Sequence, residues 1–460
     1  MSQVQCDQYW PELKAQYGGV EVTLQRTERL ANYTIRTLVL THLNLGKKGE
    51  MRTVTHLQFT SWPGSGNPSN PLPLLSFIRL ALKHNELSNS SMVVHTNHNN
   101  SRAGVFITIA STLKQLKISG EINIPSFLKQ APTRGQHLLR SAKDFIFIHD
   151  VLVEAIVGGE TNIKKSYLSR YINSLQSCQY SSSGNKYQIE RQNDLINIDF
   201  VKKDKHPPAA MIDDMLWLPG YFSQQSYVLS SYPGDLQQFW RSVLEHNVHT
   251  VVVVKSDHQQ TFPDLSSGVT GPLLVTHRDD EISYDFKSKN FILQFGASMR
   301  RFVKVIFCDS FMTTGENCEE YLNLLETVDM RRKSLNRTAP IFVLDSSVDG
   351  CAGAGLCALM TVRDQLETEQ YCDVYQAVKT VNMIRRGEWS SPEHLLLIYK
   401  VAELMANKSN SKRNSFNENN YFQKKSQLQI NVSNWKNTTP ATHKSGSIPV
   451  PVPLVPDGWF

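Results

Sequence analysis

Polar and apolar residues alternate along VEVTLQRTERLANYTIRTLVL, residues 20–40, and many of them are β-branched. A period of two with branched side chains predicts two antiparallel strands. Thr53–Phe59 (TVTHLQF) predicts another. Met92, Val93 and Val94 are apolar without alternation, which predicts a strand buried on both faces and central in a sheet. Helices are expected over Pro73–Lys83, Val105–Leu116, Ile124–Lys129 and Ala142–Ile156, the last stopped by Gly158 and Gly159.

Residues 160–200 are polar, carry Ser181–Ser183 and Gly184, and predict a connection between two domains. A second mixed segment follows to about residue 407. Its expected strands are His249–Val254, Leu273–Thr276, Arg301–Cys308 and Pro340–Asp345. Its expected helices are Asp235–His246, Asn317–Ser334, Leu356–Leu366, Asp373–Ile384 and Pro392–Ala406. Beyond Asn407 the chain turns rich in Asn, Ser, Lys and Gln and ends in IPVPVPLVPDGWF. This predicts a disordered tail with polyproline-II character near Pro449–Pro456. The expected division is therefore 1–158, a linker at 159–200, 201–407, and a tail at 408–460.

The two folded segments share an order. Strand, loop, helix, helix, helix from Met92 to Ile156 matches the run from Ile341 to Leu404. In each, a glycine-bearing loop precedes a helix of small and apolar residues, SRAGVFITIASTLKQL and CAGAGLCALMTVRDQL. Two copies of one domain explain this most simply.

Composition narrows the class. The formal net charge of +6 is mild for 460 residues and is scattered, which argues against a nucleic-acid partner. Seven cysteines without a CxxC pair point to a reducing compartment and away from a disulfide framework or zinc site. No apolar run is long enough for a membrane span, and the N-terminus is not a signal peptide. The chain is expected to be cytoplasmic, or the cytoplasmic portion of a membrane receptor. No cofactor or metal is expected.

Ser91–Phe106 (SMVVHTNHNNSRAGVF) carries the candidate chemistry. An apolar strand, a short polar loop and a helix start form a geometry that holds a phosphate on backbone N–H groups.

The specific stretches are CDQYWP (6–11), LANYTIRTLVL (30–40), LQFTSWP (57–63), VVH with SRAG (93–104) and FIFIHDVLVEAI (145–156). In the second copy they are FWRSVLEHN (239–247) and DVYQAVKTVNMIRRG (373–387). On these the chain resembles the tandem cytoplasmic domains of receptor-type protein tyrosine phosphatases, over about residues 4–407. The subgroup it looks most like carries carbonic-anhydrase-like ectodomains in vertebrates. The resemblance implies an α+β fold, a twisted mixed sheet flanked by helices, in two copies. The first copy is partial, because the family's domain begins well before CDQYWP.

The resemblance also locates what is altered. The family's loop HCxxGxxRTG stands here as HTNHNNSRAG. His95, Arg102 and Gly104 are kept, Thr96 replaces the nucleophilic cysteine, and Asn99 replaces a loop glycine. A threonine hydroxyl is far more basic than a thiol and has no neighbouring base in the sequence. The family's WPD acid is Gly64 in Trp62-Pro63-Gly64. Its water-positioning QTxxQ is Arg140-Ser141-Ala142-Lys143-Asp144, so both glutamines, at Arg140 and Asp144, are gone. In the second copy Asp345 stands at the cysteine position and Cys351 at the arginine position, and CDSFMTTGEN (308–317) contains no Trp-Pro. An acidic floor repels phosphate.

Some residues carry two readings. Arg102, with Thr96, Asn97 and Ser101, is a candidate phosphate cradle; its guanidinium could equally pair with a loop carboxylate or a backbone carbonyl. His95 and His98 are spaced as an HxxH metal pair, or His95 is structural. Cys351 and Cys357 are alternative nucleophiles, or Cys357 packs in a helix and Cys351 sits in a loop with no base nearby. The expected function is that of a catalytically inactive phosphatase homologue that binds phosphotyrosine proteins or other phosphatase domains, with an adaptor at the proline-rich tail as a further candidate. The alternatives are an active phosphatase and a non-functional fragment.

Overall fold

The alternation along residues 20–42 folds into a hairpin. Strands β1 (Lys14–Tyr17), β2 (Val20–Arg29), β3 (Tyr33–His42) and β4 (Met51–Phe59) form one antiparallel sheet in that order. β2 and β3 stay paired from Val20↔His42 to Arg29↔Thr34, with one irregularity between Leu24 and Arg26. Helices α1 (Leu72–Ser88), α2 (Asn100–Ser119), α3 (Ile124–Gln130) and α4 (Ala142–Val157) follow. Leu75 and Ile78 of α1, Val105 and Ile109 of α2, and Ile148 and Val151 of α4 form the core of this half. Leu57, Phe59 and Trp62 pack against it. A computed structural model describes residues 7–43, 51–88, 90–97, 100–131, 138–179, 186–197, 215–231, 235–255, 265, 272–283, 286–296, 299–308, 318–335, 339–345, 351–385, 389 and 391–408. The expected disordered tail lies outside the described residues.

The polar stretch 160–200, expected as a linker, is largely folded. It carries β5 (Ile163–Lys164), α5 (Leu168–Leu175), β6 (Cys178–Gln179), β7 (Lys186–Tyr187) and α6 (Gln188–Asn197). Leu168, Ile172 and Leu175 recur at i, i+4 and i+7, so α5 buries one complete apolar stripe while its overall composition stays polar.

The second half is built on a seven-stranded mixed sheet. Its strands are β8 (Leu216–Leu218), β9 (Tyr227–Ser231), β10 (Thr250–Val254), β11 (Leu273–Ser283), β12 (Phe286–Phe295), β13 (Met299–Cys308) and β14 (Ile341–Asp345), in spatial order β11-β12-β13-β10-β14-β9-β8. β10 runs parallel to both β13 and β14, with Val252 opposite Ile306 and Val343. Strict alternation divides the core in two. Val252 and Val254 face α5, α6, α8 (Cys318–Ser334), α9 (Cys351–Glu369), α10 (Val374–Ile384) and a last helix, α11, over 392–408. Val251 and Val253 face α7 (Leu236–Glu245) on the other side. β15 (Tyr371–Cys372) pairs with β5.

Met92–Val94 departs from expectation. Residues 91–96 form no strand, Val93 is 86% exposed and Met92 37%. Their counterpart β14 is gripped on both sides by the parallel strands β10 and β9. Among the described residues of the first copy nothing corresponds to β9 or β10. Apolar composition favours a strand only when neighbouring backbones complete its hydrogen bonds.

Residues 1–406 form one compact unit. The halves meet through a buried polar cluster. Glu154 of α4 is 2% exposed and Lys379 of α10 1% exposed, and they form an ion pair. Tyr375 donates to Glu154 Oε2 at 3.2 Å. Thr161 donates to Asp373 at 3.0 Å, and Ala31 N donates to the Tyr221 carbonyl at 3.0 Å.

Candidate functional site

Tyr9 anchors the first loop. Its hydroxyl lies 2.7 Å from His95 Nε2 and 2.9 Å from Nε2 of His56, on β4. Burial, then the charge of Arg36 and the neighbouring His95, pull the His56 imidazole down to about 4, so it is neutral at physiological pH. His95 therefore sits in a hydrogen-bonded aromatic cluster, its structural reading. Thr96 donates to Asn97 Oδ1 at 3.3 Å. His98 and Asn99 lie outside the described residues.

Arg102, in the first turn of α2, donates to the carbonyl of Pro63 at 2.8 Å and to that of Gly64 at 3.4 Å. Its guanidinium lies 5.7 Å from the Trp62 ring. Arg102 thus ties the loop to the Trp-Pro-Gly turn by the backbone-carbonyl pairing. Gly64 has open space around its Cα, so its missing side chain leaves no acid and no steric demand. Gly104 is different: a Cβ there would stand 1.8 Å from the Leu138 carbonyl oxygen, so α2 can pack on that backbone only through glycine.

Ser101 and Asp144 meet in a way the sequence reading did not foresee. Ser101 is buried and donates a short hydrogen bond to Asp144 Oδ2. Asn67 donates to Oδ1 at 3.0 Å and the Ser141 N–H to Oδ2 at 3.2 Å. Burial raises the Asp144 carboxyl, but these bonds outweigh it and hold the group below the usual carboxylate range. The sequence signal was present as a capping box: Ser141 caps α4 and Asp144 is its third residue. Arg140 is exposed beside it.

The second copy repeats the theme with other groups. Asp345 ends β14, is 3% exposed, and accepts the Gly353 N–H at 2.7 Å in the first turn of α9. Arg385 stands 3.9 Å away. In both copies, then, a carboxylate of the chain itself occupies the helix start that follows the loop: Asp144 through Ser101, Asp345 through Gly353. Cys351 corrects the expectation of an isolated loop thiol. It is the first residue of α9, is buried, and its Sγ lies 3.4 Å from His394 Nδ1. His394 is the third residue of α11 as Asp144 is of α4, with Ser391 accepting the Glu393 N–H at 3.2 Å. Cys357 is fully buried, and burial together with Asp345 pushes its thiol well above the ordinary value, which suits packing. Among the described residues no group of three or more His, Cys, Asp or Glu side chains is placed to hold a metal ion, and no helix is long and apolar enough to cross a membrane.

A loop leading into a long buried helix, followed by further helices, occurs once in each half of the chain, at α2 and at α9. The sequence profile of the family described as protein-tyrosine phosphatase matches residues 1–154 and 189–403, and the chain belongs to that family. It is 26% identical over 87% of its length to tyrosine-protein phosphatase 99A of Drosophila melanogaster, of which it covers 33%. It is 26% identical over 86% of its length to receptor-type tyrosine-protein phosphatase zeta of Homo sapiens, covering 19% of that chain, and 26% identical over 87% of its length to the Lar-like tyrosine-protein phosphatase of Caenorhabditis elegans, covering 20%. The chain spans a third or less of the length of these relatives.

Proposed function

We propose that this chain is a catalytically inactive member of the family that acts by binding within tyrosine-phosphorylation signalling, on phosphotyrosine segments or on other phosphatase domains. One observation carries the reading. Where the family needs a thiolate, an acid and a free guanidinium, the first loop holds Thr96, Gly64 and an Arg102 bonded to the Pro63 and Gly64 carbonyls. The second copy offers Asp345 in place of the thiol. Among the described residues no hydrogen bond joins the Thr96 hydroxyl to a base, and a hydroxyl so placed does not attack phosphorus at a useful rate; no group at Gly64 protonates the leaving oxygen. Asp144, ionised at the start of α2, further disfavours a phosphate dianion there.

The family relationship itself favours the other reading, an active phosphatase. The test is turnover of a phosphotyrosine peptide by the full chain. The expected rate lies at least about 10⁴-fold below that of a cysteine-bearing family enzyme. Thr96→Cys alone is expected not to restore it, because Gly64 still supplies no acid. Turnover above the buffer rate that disappears in Arg102→Lys would overturn the proposal.

A further inference from the structure

A cleft of about 1360 Å³ opens between the two copies. One wall is formed by β2, β3, α1 and α2, the other by the end of α9, β15, the start of α10 and the loop 219–224. Gln224 donates to Asn32 Oδ1 at 2.7 Å, and Lys83 Nζ lies 4.4 Å from the centre of the Tyr371 ring, so the walls are tied to each other. Pro63 and Ser65 border the cleft, but none of Thr96, Arg102, Asp144 or Asp345 lines it. Its volume exceeds the roughly 300–1,000 Å³ of small-molecule sites, which favours a segment of chain over a metabolite.

Charge is sorted along this cleft. α1 runs its length: Phe77 packs on the Tyr33 ring at 5.6 Å, and Glu86, nine residues on, pairs with Lys117 at 3.4 Å. At 1.5 Å of rise per residue these two ends lie about 13 Å apart, the span of about four residues of extended chain. The Tyr33 end is acidic. Burial, then the charges of Glu369 and Glu28, push the Tyr33 hydroxyl well above its ordinary value. Tyr221 donates to Glu369 Oε1 at 2.7 Å, and Glu28 pairs with Arg26 at 2.9 Å. Among the described residues no cation pairs with Glu369, and no hydrogen bond is made by the Tyr33 hydroxyl. The α2 end is basic. Lys114 and Lys117, three residues apart, share one helix face, and Lys114 is exposed without an ion-pair partner among the described residues. Between the ends the lining is polar and uncharged at Gln365, Gln376 and Thr380, groups able to bond a peptide backbone.

We infer that this cleft is a second binding site, which takes an extended, unphosphorylated segment of another protein, with a basic side chain at Glu369 and Tyr33 and an acidic side chain about four residues away at Lys114 and Lys117. A segment charged uniformly in either sense meets like charge at one end, so the pair of ends supplies selectivity. The site goes beyond the phosphotyrosine reading and is independent of both loops.

The probes are capped, fluorescently labelled peptides of serine and alanine, titrated into the full chain with fluorescence anisotropy as readout. Two of them carry arginine and glutamate about four residues apart, one in each order. The controls carry two arginines, two glutamates or no charge. The better mixed peptide is expected to bind about tenfold or more tightly than any control, and to lose that advantage in about 1 M salt, where charges are screened within about 3 Å. Lys114→Glu, at an exposed position, is expected to leave the thermal midpoint unchanged and to weaken that peptide about twofold to fivefold. Tyr33→Phe keeps the ring on Phe77, and Glu369→Gln keeps an acceptor for Tyr221; each is expected to weaken it about threefold. Absence of binding by both mixed peptides would overturn the inference. Equal binding by a uniformly charged control would do so too, as would an affinity unchanged in both Lys114→Glu and Glu369→Gln. No probe carries phosphate, so each of these outcomes leaves the reading of the loops as it stands.

Discussion

The two glycines of the first loop region make opposite demands. Gly64 faces open space, so Gly64→Asp is expected to alter stability by less than about 0.5 kcal/mol. Gly104→Ala drives a methyl into the Leu138 backbone and is expected to cost about 1–3 kcal/mol or more in urea unfolding. The turn at Gly64 is thus sterically undemanding, whereas the helix start is fixed by contact. His56 gives a second residue-level test. Its folded imidazole is lowered to about 4 from the ordinary 6.5, so the unfolded chain binds the proton first as pH falls. Its contribution is present above about 6.5 and is lost progressively toward pH 4. The difference in thermal midpoint between the chain and His56→Gln is expected to vary with pH in that window and to level off above it.

At the scale of elements, what could be read from the sequence depended on whether an element's partners were local. The hairpin β2–β3 and helix α4 were legible because alternation, a capping box and a glycine stop are carried by the element itself. β12 was missed because FKSKNFILQF interleaves lysines with its apolar residues, and its pairing with β11 and β13 outweighs that pattern. Met92–Val94 failed for the converse reason: a strand pattern without flanking strands. Within the site, Thr96 and Gly64 were readable as substitutions. The Ser101–Asp144 bond and the Cys351–His394 contact were not, since each joins helices far apart in the chain. The stretch 160–200 was judged by average composition, which hides a stripe of three leucine and isoleucine side chains. Leu175→Ala, at a fully buried position, is expected to cost about 2–5 kcal/mol in denaturant unfolding, where a linker residue would cost nothing.

For the whole molecule, the junction of the copies rests on Glu154 and Lys379. Removing one partner of a buried pair strands a charge, so Lys379→Met is expected to destabilise the chain by about 3–5 kcal/mol. The double change Glu154→Leu with Lys379→Met is expected to recover most of this, measured by the same unfolding curves. The pairing of β5 with β15 and the packing of α5 into the second core make the passage between copies part of the second fold.

That buried pair separates two kinds of loss. Changes at Thr96 and Gly64 alter the loops of the first copy and do not touch Glu154, in the last turn of α4. Deleting the first copy would instead remove the buried carboxylate that pairs with Lys379 and accepts the Tyr375 hydrogen bond. The first copy is therefore indispensable whatever its loop does, because its neighbour's interior depends on one of its carboxylates.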